Sequence, residues 1–66
     1  MKYREIIKII EKDGWFIITQ KGSHKQYKHD IKKNKVTIAG TGNKDIPLQT
    51  LKSILKQSEI KLKWKN

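Results

Sequence analysis

The chain has 66 residues, and its sixteen Lys and Arg against six Asp and Glu give a formal charge of +10 at neutral pH. A chain this short holds one small core, and the lack of cysteine excludes disulfides and thiolate metal sites. The charge exceeds what solubility requires, so we expect a polyanionic partner. With no cysteine and only two histidines we expect no metal site, and we expect no small-molecule cofactor. No apolar run is long enough to span a bilayer, and we expect a cytoplasmic protein without a membrane partner.

The first predicted element is an amphipathic helix from Lys2 to Lys12. Its apolar residues recur at helical spacing, and charged residues occupy the remaining positions. The residues expected to face the core are Tyr3, Ile6, Ile7 and Ile10, with Ile9 at the margin. Asp13-Gly14 ends the helix, because glycine readily takes the left-handed conformation that follows many helices.

Three short strands are predicted next, at 15–20, 25–29 and 35–39. Aromatic and β-branched residues favour the first strand, in which strict alternation would place Trp15, Ile17 and Thr19 on one face. One apolar row of this strand would then be exposed as a candidate partner surface. Val36 and Ile38 are expected to face the core from the third strand, and the charged segment 30–34 is expected to be a solvated loop.

The second helix is predicted to begin around Asp45-Ile46-Pro47, since proline suits the first helical position. Its expected buried stripe is Leu48, Leu51, Ile54 and Leu55. After it, lysines alternate with apolar residues, which indicates an extended basic tail over 60–66. We therefore predict one domain, 1–59, of the α+β class: two helices on one face of a three-stranded antiparallel sheet, in the α-β-β-β-α order of double-stranded-RNA-binding domains.

The candidate site is the stretch from Gln20 to Tyr27. A Gly22-Ser23 turn presents His24 between lysines, and imidazole is the side chain that exchanges protons near neutral pH. The residues expected to contact phosphate are Lys21, Gly22, Ser23, Lys25 and Lys28. His29 is a poor catalytic partner for His24, because five residues of strand span about 17 Å and an odd separation puts them on opposite faces. We expect His29 to be structural.

Four segments of the sequence resemble those of a known family, and they lie at 11–15, 20–29, 36–38 and 44–57. The specific combination is Gly22-Ser23-His24 followed by Lys44-Asp45-Ile46-Pro47, with Thr50-Leu51 and Ile54-Leu55 further along the last segment. In this combination, over residues 1 to 58, the chain resembles the HicA (YcfA-like) toxins of toxin–antitoxin systems. It departs from the family's pattern after the second helix, where Gln57-Ser58-Glu59-Ile60 stands in place of the frequent glycine.

The resemblance implies an endoribonuclease that cleaves mRNA without a metal, with His24 as the catalytic acid or base. It also implies inhibition by a HicB-type antitoxin. On the chain itself we expect that antitoxin to contact Lys21, His24, Lys25 and Lys28.

Two other functions are compatible with a basic domain of this kind. A non-catalytic RNA-binding module of the same fold is the main alternative, although such domains insert a longer loop than Gly22-Ser23 into a minor groove. A sequence-specific DNA regulator is disfavoured by the single arginine, because arginine is the usual reader of guanine edges.

Overall fold

The computed structural model describes residues 1–40 and 42–61, and in them a helix is followed by three strands and a second helix. The elements are α1 (Tyr3–Lys12), β1 (Phe16–Lys21), β2 (His24–Lys28), β3 (Val36–Ala39) and α2 (Leu48–Ser58). The strands form one antiparallel sheet in the order β1-β2-β3, which leaves β1 and β3 as its edges. The predicted α+β architecture is confirmed. Neither helix is long and apolar enough to cross a membrane.

A single core joins the helices to one face of the sheet. Its buried members are Tyr3, Ile6, Ile10, Trp15, Tyr27, Val36, Ile38, Ile46, Leu51 and Ile54. Fully burying one isoleucine stabilises a fold by about 1.5–3 kcal/mol, so the stripe of α1 is a large part of what holds this small domain together. The opposite face of the sheet is open, since the side chains that alternate with the core residues, such as Gln26 and Thr37, are exposed.

The start of α2 differs from the prediction. Pro47 has an extended backbone (φ −57°, ψ 143°) and occupies the position before the helix, which begins at Leu48. Leu48 is 55% exposed, so its predicted place in the buried stripe was wrong. Ile46 is buried instead, just ahead of the helix, and Ser58 extends the buried stripe at the other end.

A bulge in β1 overturns the strict alternation expected for that strand. Ile17 pairs with Tyr27 and Thr19 pairs with Gln26, so Ile18 is an extra residue without a partner of its own. Paired residues of an antiparallel sheet share a face. Ile17 therefore lies on the helix side with Tyr27, and Thr19 lies on the open side, opposite to the prediction. Extra residues of this kind change the phase of a strand without any signal in the apolar pattern.

The segment 30–34 is only partly solvated, which corrects the prediction of a free loop. Ile31 is exposed, but the ammonium group of Lys32 donates to Asp13 Oδ2 at 2.6 Å. It also donates to the carbonyl oxygens of Ser58 at 2.9 Å and Glu59 at 3.3 Å. Lys32 thus joins the ends of the two helices, and its charge is placed where helix carbonyls are unpaired.

The chain leaves α2 through a left-handed residue and returns to the core. Glu59 has φ +56°, and the Ile60 N–H donates to the Leu55 carbonyl at 3.2 Å. Ile60 packs against the core from outside. Residues 62–66, which hold most of the predicted basic tail, lie outside the described residues, so the extended tail and the 1–59 domain boundary remain predictions.

Candidate functional site

The turn between β1 and β2 consists of Gly22 and Ser23 alone. Gly22 has φ +58° and Ser23 does not have a positive φ, the combination found in type II′ turns, which suit the twist of a hairpin. The Gln20 side-chain amide donates to the Gly22 carbonyl, and the Gly40 N–H donates to the Ser23 carbonyl, both at 3.2 Å. The turn is therefore held from its own strand and from the end of β3.

The start of α1 supports the turn from behind. The Tyr3 ring packs on Gly40 so closely that a Cβ at position 40 would lie 2.5 Å from Tyr3 Cζ. The Tyr3 N–H donates to the Lys44 carbonyl at 3.0 Å, and the Arg4 N–H donates to the Gly42 carbonyl at 3.1 Å. These bonds pair backbone amides that the start of a helix leaves free. They also join the start of α1 to the segment that follows β3, close to the Gly22-Ser23 turn.

His24 is the first residue of β2 and lies on the open face of the sheet. It pairs with Lys21 across the hairpin and with Ala39 on its other side. Its side chain is exposed, and its ring makes no hydrogen bond to any residue in 1–40 or 42–61. Nothing in the described fold uses this imidazole for packing or bonding, so it is accessible to a ligand.

The structure separates the predicted phosphate-binding lysines. Lys21 and Lys28 share the open face with His24, because Lys21 pairs with His24 and Lys28 lies four residues along the same strand. Lys25 is half-buried and pairs with the core residue Ile38, which puts it on the helix side. β1 and β2 contain lysines, and none of the three strands contains an acidic residue, so the sheet is a positively charged surface.

Two further residues of the open face were missed in the sequence. Gln26 lies between His24 and Lys28 on the same face, and Phe16 pairs with Lys28. Alternation along β2 could have identified Gln26, since residues two apart share a face. Phe16 could be placed only once its pairing with β2 was known.

His29 is a structural residue, as expected. Its Nδ1 accepts from the N–H groups of Ile31 and Lys32 at 3.0 and 3.1 Å, so the ring proton lies on Nε2, which donates to the Asp13 carbonyl at 2.7 Å. The ring also meets Trp15 edge-on at 5.2 Å. With both nitrogens occupied and the side chain mostly buried, His29 has no position free for proton transfer.

The carboxylate of Asp13, near the far end of β2, has a shifted pKa. The hydrogen bond from the Lys32 ammonium, with the positive charge of that group, holds the pKa of Asp13 below its usual value of 3.8, although partial desolvation opposes this. Asp13, His29 and Lys32 form a structural cluster, which we call the Asp13 cluster. It lies at the end of β2 away from His24, so it supports the fold and not the candidate site.

Comparison with protein families identifies the family of the chain. The sequence model of a family described as the HicA toxin of bacterial toxin–antitoxin systems matches residues 3–60. The chain belongs to the HicA toxin family. No curated protein matches it significantly.

Membership identifies this HicA protein as a toxin and implies an antitoxin as its partner. The match covers both helices, the sheet and the Gly22–His24 turn, and it ends at Ile60. Among the described residues of this HicA chain, no group of three or more His, Asp or Glu side chains is placed to hold a metal ion.

Proposed function

We propose that this toxin is a metal-independent endoribonuclease that cleaves mRNA in the cytoplasm and thereby inhibits translation and growth, with His24 as its catalytic acid or base. The observation that carries the proposal is the position of His24. It is exposed on a sheet face that has lysines and no acidic residue, and its ring is bonded to no described residue.

The chemistry of RNA cleavage sets the roles of the residues around His24. The 2′-hydroxyl must lose a proton, the negative charge that develops at phosphorus must be stabilised, and the leaving 5′-oxygen must gain a proton. His24 performs one of the two proton transfers. Two neighbouring groups can stabilise the negative charge at phosphorus. They are the ammonium of Lys21, which pairs with His24 across the hairpin, and the backbone N–H of Ser23, which precedes His24 in the chain.

The other lysines contribute unequally to RNA binding. Lys28 lies about 13 Å along β2 from His24, at about 3.3 Å per residue, and suits a phosphate further along the RNA strand. Lys25 lies on the helix side and cannot reach the same phosphate across the open face. We therefore assign Lys21 and Lys28 to the RNA path and give Lys25 a smaller role.

A HicB-type antitoxin inhibits the toxin by covering His24 in this proposal. Its contacts include Lys21 and Lys28 on the open face, and Lys25 where the partner wraps around the hairpin end. RNA and antitoxin then compete for one surface, so antitoxin titration should abolish both RNA binding and cleavage. A complex that binds and cuts RNA normally would contradict this occlusion.

The proposal is tested by incubating the purified protein with labelled RNA and EDTA and separating the products on a gel. Cleavage should persist in EDTA, and Lys21→Ala should reduce it at least about tenfold, in the range expected for loss of a charge-stabilising group. Lys25→Ala is the matched control, with the same substitution on the other face, and should have a smaller effect. Binding without cleavage, preferring duplex RNA, would instead support the non-catalytic module.

A further inference from the structure

The edge strand β1 exposes large apolar side chains on both faces of the sheet. Phe16 on the open side, Ile17 on the helix side and Ile18 at the bulge are 45%, 44% and 43% exposed. They stand in a run from Gly14 to Gln20 that has no charged residue, within a chain of net charge +10. Neither helix covers Ile17, although its partner Tyr27 is buried.

The two edges of the sheet are treated differently by the fold. On β3, the outward N–H of Thr37 donates to the Gln57 side chain of α2 at 3.2 Å, so α2 covers part of that edge. On β1, no residue in 1–40 or 42–61 apart from those of β2 forms a hydrogen bond with the strand's backbone. Lys21 and His24 flank the two-residue turn and form a hydrogen-bonded pair, and such pairs alternate with non-hydrogen-bonded ones along an antiparallel ladder. The next pair, Gln20 and Lys25, is therefore non-hydrogen-bonded, so the backbone N–H and C=O of Gln20 point away from β2, toward the free edge.

An unpaired, uncharged and apolar edge is a template for another strand, whose backbone bonds to it while its side chains cover the exposed ones. RNA lying on the open face would cover Phe16 but leave Ile17 exposed on the helix side. A second copy of the chain would bring two charges of +10 together. An acidic protein strand would hydrogen-bond the free backbone groups of β1, cover the exposed apolar side chains on both faces, and complement the positive charge of the chain.

We propose that the antitoxin adds an acidic-flanked strand to the free edge of β1 and buries Ile17 and Ile18. This inference rests on the proposed function, because it specifies how the inhibitor of that site is attached. Lys21 ends the same strand and pairs with His24, so a strand on this edge brings its flanking residues beside the candidate catalytic group.

The test uses the full chain and the antitoxin encoded with it, and measures backbone amide exchange of the toxin alone and in the complex. Strand addition predicts that the Gln20 amide becomes protected. It also predicts that Ile17→Lys weakens the complex at least about tenfold, as expected for a buried interface position. Ile31→Lys is the matched control: the same change at an isoleucine that is 84% exposed outside the sheet should leave affinity unchanged.

Each other outcome overturns the inference. The antitoxin could fail to bind, or could bind without protecting any amide of β1. The Ile17→Lys and Ile31→Lys variants could weaken the complex equally. The Gln20 backbone amide could also become protected by RNA, or by concentrated toxin alone. RNA cleavage by the Ile17→Lys toxin without antitoxin is measured in the same preparation. If the Ile17→Lys toxin cleaves RNA at the wild-type rate while the tests of strand addition fail, the docking mode is rejected and the proposed function stands. Cleavage absent from both wild type and variant rejects the function.

Discussion

Glu59 is the one non-glycine residue in 1–40 and 42–61 with a positive φ. At +56° its Cβ is crowded against the backbone, which costs roughly 1 kcal/mol for a residue other than glycine. The conformation persists because it lets the Ile60 N–H return to the Leu55 carbonyl and places Ile60 against the core. The backbone at Glu59 therefore takes the conformation that glycine favours.

Replacing Glu59 by glycine should therefore stabilise the protein by about 0.5–1 kcal/mol, because it relieves the left-handed strain. Chemical denaturation followed by helical circular dichroism measures the change. Glu59→Ala removes the same charge but keeps a Cβ, so it should bring no such gain. Equal stabilisation by alanine and glycine would show that charge, and not backbone strain, limits stability at this position.

Individual features of the candidate site could be predicted where they depend only on nearby residues in the sequence. Gly22-Ser23 as a turn and His24 as an unbonded residue followed from the motif, and the structural role of His29 followed from its separation along the strand. The partners of His29 could not be predicted, because Asp13 and Lys32 meet it only after the loop 30–34 folds back. Lys25 was grouped with Lys21 because the predicted strands left 21–24 in the turn, where no face could be assigned; the pairing of Lys25 with Ile38 then places it on the helix side.

At the scale of elements, the Asp13 cluster ties the end of α1 to the loop after β2 and to the end of α2. Since the folded-state pKa of Asp13 lies below 3.8, its ionised form is favoured by folding. That contribution to stability is fully present above the unfolded pKa and disappears as pH falls through the folded value.

Asp13→Asn should thus lower the free energy of unfolding at neutral pH, and its difference from wild type should shrink below about pH 4. Denaturation at a series of pH values measures both. Asp30→Asn is the control, because Asp30 is exposed and makes no hydrogen bond to a described residue. A difference for Asp13→Asn that stays constant down to pH 2 would contradict the assigned ion pair.

The order of elements and most of the core could be predicted because periodicity reports directly on burial. Tyr3, Ile6 and Ile10 are buried as their helical spacing indicates, and Val36 and Ile38 are buried as strand alternation indicates. The bulge at Ile18 and the exposure of Leu48 could not be predicted. Both depend on how an element meets its neighbours, the first on register with β2 and the second on where α2 enters the core.

Across the whole molecule, charge is distributed by surface. The six acidic residues all lie on helices or in connecting segments: Glu5, Glu11, Asp13, Asp30, Asp45 and Glu59. Two of them form ion pairs within the described residues: Asp13 with Lys32, and Asp45 with Lys2. The sheet keeps its lysines without acidic neighbours in any strand, so the open face is where a polyanion meets the least repulsion.

RNA binding should accordingly weaken steeply with salt, with a log–log slope of about −0.7 for each phosphate neutralised on a single strand. Lys28→Ala should make the slope shallower by about that amount, because it removes one phosphate contact. Lys52→Ala, the same change on the exposed surface of α2, should leave the slope unchanged. Equal effects of the two variants in fluorescence titrations would show that RNA does not follow the open face.

The central claim, that the exposed imidazole of His24 performs the chemistry, is tested most directly by cleavage with His24→Ala. We expect its circular dichroism and unfolding midpoint to match wild type, because no described residue depends on the ring. Cleavage of labelled RNA should fall by about 10²–10⁴-fold, as for loss of a general acid or base. Gln26→Ala, the same substitution at the next residue on that face, should retain most of the activity. A folded His24→Ala protein that cleaves RNA at the wild-type rate would contradict the assignment.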